Sequence, residues 1–386
     1  MVGVGGLLLG CSGPQRHPEM RADPQILVRK WTRSTHGIFE AGDRGVEFSN
    51  AVVMENTLIF GDQTTGLVSL YPGINEIRWT FPIKGGIVSP LMASGGSAYF
   101  GGGDGYLYSV DVETGKENWK YNLRNPVISQ PTLSHGRLFV TTTDDVVYAF
   151  DAGTGKWLWH YRRKTSPSST IYGASPPLVD GTEVIAGLSD GFLVSLSIEE
   201  GQLKWEKKLH FGTRFTDIDA HPVLENGILY IPSYDGNLYA LKRDGNAILW
   251  RFDAGGSRTV LLENDKVFLP SSDGSIYALQ KDNGKKIWKF EMDGGTPTQL
   301  VATDKYILVG SSYQYFYVLD KNTGKGLYRF NAGYGSGFRG SPAFDPATQR
   351  VYILSGGGNL YTFEIPRQST KAYPHGRTTP DTFTLK

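Results

Sequence analysis

A module recurring at a period of roughly 40 residues constrains this chain more than any other feature, because a unit of that length is one propeller blade and buries its faces only against copies of itself. The copies are plainest in GGGDGYLYSVDVETGKENW (101–119), TTTDDVVYAFDAGTGKWLW (141–159) and SSDGSIYALQKDNGKKIW (271–288). Each reads strand, turn, strand, turn, strand. Asp-Gly pairs at 104–105, 190–191, 235–236 and 273–274 tolerate the positive φ that tight hairpins demand, so they mark strand reversals. A second turn of the Thr-Gly-Lys kind precedes an outer strand that carries Trp79, Trp119, Trp159, Trp205, Trp250 or Trp288, with Tyr328 in the seventh place. A chain of 386 residues would otherwise suggest two or three domains. The repeat makes it one all-β body.

The eighth copy, SPAFDPATQRVYILSGGGNLYTFEI (341–365), holds three strands and lacks a fourth. Near the N-terminus, ILVRKWT (26–32) contains Lys30-Trp31, which resembles the outer-strand pairs Asn118-Trp119 and Ile287-Trp288. The expected architecture is therefore an eight-bladed β-propeller of four-stranded blades over residues 25–365. The N-terminal strand completes the last blade and removes the open edge. Within the blades, apolar residues alternate as sheets covered on both faces require, and helical periodicity is absent. The tryptophans are read as packing between blades, with ligand stacking as the lesser alternative.

Composition narrows the partners. Lys plus Arg number 39 against 38 Asp plus Glu, a formal charge of +1, so no basic stripe invites nucleic acid. Seven histidines are scattered without metal-ligand spacing, and one cysteine builds neither a thiolate metal site nor a disulfide. The glycine clusters at 101–103 and 333–340 lack the spacing of a phosphate loop, and no Gly-x-Ser-x-Gly supports hydrolase chemistry. No cofactor, metal or catalytic residue is assigned.

The chain opens MVGVGGLLLGCSG, and Leu8-Leu9-Gly10-Cys11 looks like a bacterial lipobox. The resemblance implies a lipoprotein signal peptide over 1–10, lipid on Cys11 and, with Ser12 following, sorting to the outer membrane. The apolar run is too short to span a bilayer, and no Lys or Arg precedes it. A buried cysteine in an apolar terminus is the alternative. Residues 11–24, polar with Pro and Gly, are expected to be a flexible tether. Residues 366–386 form a tail expected to be irregular.

Two families share the repeat. The segment Ala149-x-Asp151-x-x-Thr154-Gly155-x-x-x-Trp159 resembles the tryptophan-docking motif of pyrroloquinoline-quinone dehydrogenases, which implies a central quinone, a vicinal disulfide and a calcium ion. A lone cysteine cannot form that disulfide, and no Cys-x-x-Cys-His supplies a haem. The fuller match is densest from Tyr172 to Leu241, where Arg214-Phe215-Thr216-Asp217-Ile218-Asp219 is followed by Pro222-Val223 and Asn226-Gly227. This run is similar to the BamB family, lipid-anchored propellers of the β-barrel assembly machine. The resemblance implies contact between the paired aspartates and a POTRA domain of BamA. It implies a second contact from a Leu-x-Leu-Arg loop one blade earlier, which here reads Ser169-Thr170-Ile171-Tyr172-Gly173, so that Ile171 keeps the apolar character and Tyr172 replaces the arginine.

Residues i and i+2 of an extended segment project to one side, so Asp217 and Asp219 are expected to form a small negative patch suited to an arginine. An aspartate at the start of a strand also commonly accepts backbone N–H bonds and fixes a loop, and that reading stays open beside the first. Arg214 is read as an intramolecular partner of one of them and is counted with the docking set of Ile171, Tyr172, Asp217 and Asp219. The expectation is a non-catalytic scaffold, lipid-anchored on the periplasmic face of the outer membrane, that docks on BamA and offers strand edges to unfolded barrel proteins. A quinoprotein dehydrogenase and a propeller adaptor of another envelope complex are the alternatives.

Overall fold

A computed structural model describes residues 17, 19–35, 49–62, 65–164, 173–209, 217–245 and 247–367. Among the described residues, thirty-two strands form eight four-stranded antiparallel sheets, and there is no helix. Blades 1 to 7 each use four consecutive strands and span 51–81, 92–122, 132–162, 178–208, 223–252, 261–291 and 301–331. Blade 8 takes three strands from 343–364, and its fourth is Val28–Ser34. That strand runs antiparallel to Asn359–Glu364. The closure expected from Lys30-Trp31 is what forms.

The register explains why the pair was legible. In every blade the outermost pairing slips by one residue just before the aromatic position, as between Ser109 and Val110 opposite Trp119, and between Ala278 and Leu279 opposite Trp288. In blade 8 the slip falls between Arg29 and Trp31, so Lys30 is the bulged residue, equivalent to Asn118 and Ile287. A bulge sharpens local twist and turns the outer strand toward the next blade. Lys30 then reaches Glu364 at 3.3 Å.

Each outer aromatic is a peg for its neighbour. Trp119 lies over Gly155 of blade 3, where an added Cβ would stand 2.5 Å from the indole, and its Nε1 donates to the Ala152 carbonyl at 2.9 Å. Gly155 sits at φ 70, a conformation glycine adopts without strain. Trp79, Trp159 and Trp250 donate in the same way to Val112, Ile198 and Lys281. Tyr328 has no such turn to meet, because blade 8 receives its fourth strand from the other chain end. It packs edge-on against Phe363 instead, with centroids 6.4 Å apart. Between the pegs run apolar layers such as Phe139, Trp159, Val184 and Val194, each shared by adjacent blades.

One boundary expectation is corrected. Described residues within the 11–24 tether lie on the propeller: Met20 is buried in the layer of blades 6 and 7, its methyl group pressed to Gly326. His17 stacks on Phe290 at 4.7 Å, and Arg329 N donates to the Arg21 carbonyl. An unbranched, polarisable side chain such as Met20 adapts readily to an existing apolar layer. Residues 1–16, with Cys11, and residues 368–386 lie outside the described residues. Arg367 donates to the Ala347 carbonyl at 2.6 Å.

Candidate functional site

The connections that cross from one blade to the next emerge on the same face as the Asp-Gly hairpins. On that face, blades 3, 4 and 5 carry the residues singled out from the sequence. Ile171, Tyr172 and Arg214 fall in 165–172 and 210–216, outside the described residues. The ends of both connections are described, and they meet.

The first connection leaves blade 3 between two arginines. Arg162 pairs with Asp144, and Arg163 pairs with Asp190 and, at 3.0 Å, with Glu206 while lying 3.4 Å above the Phe192 ring. It returns at Gly173. The second connection ends in Asp217-Ile218-Asp219, an extended stretch between blades 4 and 5. Ile218 N donates to the Leu188 carbonyl, and Tyr234 N donates to the Asp217 carbonyl at 3.0 Å. The Ile218 side chain covers Gly187, where a Cβ would lie 2.3 Å from it. The Asp219 carboxyl lies against Gly173, and a Cβ there would overlap it at 1.8 Å. Only glycine admits that contact.

Sequence reasoning expected an exposed negative patch at this point, and the structure corrects it. Asp217 is wholly buried and Asp219 is 9% exposed. The rule that i and i+2 share a side still applies, but the shared side faces inward, because backbone bonds to blades 4 and 5 pin the stretch in the seam. Burial pushes the Asp219 carboxyl well above the usual aspartate range, and the nearby charges of Asp217 and Asp145 push it further. Asp145, half-buried, belongs to the same acid group and was not foreseen. It stands where other hairpins have glycine, at φ 60, and accepts Ser189 N at 3.1 Å and the Ser189 hydroxyl. Burial raises its carboxyl, against the pull of those two hydrogen bonds. Its signal was legible: Asp144-Asp145 replaces the Asp-Gly of the other blades.

The remaining hairpin aspartates keep the geometric role expected of them. Asp104, Asp235 and Asp273 each accept a tyrosine hydroxyl four residues on, from Tyr108, Tyr239 and Tyr277, while the following glycines take positive φ.

On the ring axis the same face opens into a cavity of about 950 Å³, lined by the connections and first strands of several blades. Around its wall side chains tie blade to blade. Gln130 donates to the Leu91 carbonyl, Thr132 to Pro177 and Gln299 to Thr259. His221 Nδ1 lies 2.9 Å from the Pro176 carbonyl, and burial lowers the affinity of this imidazole for a proton. Among the described residues, no three His, Cys, Asp or Glu side chains group to hold a metal ion.

A family model described as the outer membrane protein assembly factor BamB matches residues 66–290 and 272–382. Among individual relatives, BamB of Legionella pneumophila is 31% identical over 103 residues, 25% of this chain and 27% of that protein. BamB of Kangiella koreensis is 29% identical over 210 residues, 52% of this chain and 53% of that protein. The chain thus spans about a quarter to a half of the length of these relatives. A solved structure of BamB from Moraxella catarrhalis superimposes with a TM-score of 0.74 at 20% identity, over 88% of this chain and 100% of that one. A europium-containing methanol dehydrogenase superimposes at 0.69 and 12% identity, over 88% of this chain and 93% of that one. Likeness at such identities shows the ring fold alone. The family model spans most of the chain, from the first blade to beyond the eighth, and on that match this protein belongs to the family of the outer membrane protein assembly factor BamB.

Proposed function

We propose that this chain is a non-catalytic scaffold in the assembly of outer-membrane β-barrels, held on the periplasmic face of the outer membrane by lipid on Cys11. It docks on a POTRA domain of BamA through the connections 165–172 and 210–216. Family membership supports the process. The contact of Asp219 with Gly173 supports the place, because it joins the ends of both connections into one rigid foot. In this reading Ile171, Tyr172 and Arg214 touch the partner. Asp217 and Asp219 act one step back, as buried groups that hold the two connections at a fixed separation. Tyr172 offers a flat amphipathic anchor of the kind enriched at binding hot spots, and Arg214 offers a planar cation for a carboxylate.

The mechanism is geometric. Eight interlocked sheets form a body stiff enough to hold a jointed POTRA arm in one orientation, and the outer strands leave backbone edges to which unfolded strands can add. The test is an envelope pull-down comparing the natural chain with Ile171→Arg plus Tyr172→Ala, and separately with Arg214→Glu. Each variant is expected to recover at least tenfold less BamA while melting at the natural temperature. Full recovery by both, with both folded, removes these connections as the docking site.

A further inference from the structure

We propose that the axial cavity is a binding site for an organic carboxylate with an apolar body, gripped by Arg258. The inference uses the funnel on the ring axis and does not depend on the docking of the blade 3–5 connections. Arg258 lies on the connection that leads into blade 6, half-buried in the cavity wall beside Ser257 and Thr259. Among the described residues no carboxylate pairs with it. A guanidinium in such a place ordinarily has a counter-ion, since a desolvated charge without one is costly. Burial lowers the proton affinity of Arg258, the Tyr234 phenol on the same wall raises it, and Arg339, on the connection into blade 8 and lining the same cavity, lowers it by a smaller amount.

The rest of the cavity says which anion. Across the axis, blades 2 and 3 contribute the apolar side chains of Val88, Pro90, Met92, Ile128 and Leu133, set among Ser129, Gln130 and Thr132. The acid on the rim, Asp219, is held toward its neutral form, so it repels an incoming carboxylate weakly and can donate a hydrogen bond to it. A volume of about 950 Å³ takes a body the size of a medium-chain acid or larger, within the usual range of small-molecule pockets. Apolar wall and planar forked donor together select a carboxylate carried on hydrocarbon over a free inorganic ion.

Titration calorimetry of the full chain with octanoate, octanol and inorganic phosphate tests this. Octanoate is expected to bind one site per chain, with octanol and phosphate each at least tenfold weaker. Arg258→Ala should weaken octanoate at least tenfold, Arg258→Lys should lose less, and Arg251→Ala, an exposed arginine on blade 5, should change nothing. Met92→Glu, which sets a negative charge among these apolar side chains, should also weaken binding at least tenfold and gives a second reading if Arg258→Ala fails to fold. No saturable heat with octanoate overturns the proposal, as does unaltered octanoate binding by either variant in folded form. Phosphate binding as tight as octanoate overturns the assignment of an apolar body.

Discussion

The outer girdle and the face of blades 3 to 5 are built from the same repeat, yet one follows it and the other departs from it. In the girdle, joint after joint places an indole on a left-handed glycine of the next blade, with its N–H on a backbone carbonyl where one is in reach. On the face, an aspartate replaces a hairpin glycine, a second aspartate is pressed onto Gly173, and a third is sealed beneath them. The girdle stabilises by apolar burial and neutral hydrogen bonds. The face gathers acids, and burial pushes Asp145 and Asp219 toward their neutral forms. Regular joints close the ring, and the departures from them gather where two connections are held for contact with something else.

Trp119→Ala removes a peg that is 8% exposed and should cost about 3–5 kcal/mol in denaturant unfolding, with little dependence on pH. A loss below 1 kcal/mol would mean that the joints do not carry the ring. Next, Gly155→Ala drives a methyl group into the Trp119 indole from a backbone at φ 70, and about 1–3 kcal/mol should be lost. Gly136→Ala shares φ 70 but has no heavy atom within 4 Å, so thermal melting should separate the steric part from the backbone part.

A finer effect sorts the joints among themselves. Trp119 has an acceptor for its N–H, whereas the buried Nε1 of Trp288 has no hydrogen-bond partner among the described residues. Trp119→Phe should therefore cost about 0.5–1.5 kcal/mol more than Trp288→Phe in paired unfolding curves. Equal costs would show that the hydrogen bond adds nothing to the stacking.

The last effect is a slope, and it belongs to the face alone. The Asp219 carboxyl titrates in the folded chain well above its usual 3.8, so the fold prefers the protonated acid. Its stabilising contribution is complete below pH 3.8 and is lost as pH rises through the folded value. Asp219→Asn keeps a neutral side chain at every pH. Its stability relative to the natural chain should rise from pH 4 to pH 8, measured by melting at each pH. A flat difference would mean that Asp219 is not held in its neutral form.

Much of the ring could be read from the chain because its signals are local. Glycine in a left-handed turn, aspartate before it and tryptophan after a bulge each act within one blade, and Lys30-Trp31 carried the same signal to the far end of the sequence. The site was less legible. Whether Asp217 faces water depends on Leu188 and Tyr234, which belong to different blades, and the i, i+2 rule gives a shared side without saying what covers it. Met20 is one apolar residue in a polar stretch, too little to show periodicity, so its docking against Gly326 left no trace. Arg258 and Arg339 come together only because the ring closes. Asp145 was readable, as a residue other than glycine at a turn that otherwise demands it.

The most direct measurement places a photo-crosslinking amino acid at position 171, at 214 or at 226, the last in a hairpin on the opposite face of the ring, and irradiates intact envelopes. Crosslinks to BamA are expected from 171 and 214 and none from 226. Crosslinks from 226, or silence at both 171 and 214 in folded protein, would contradict it.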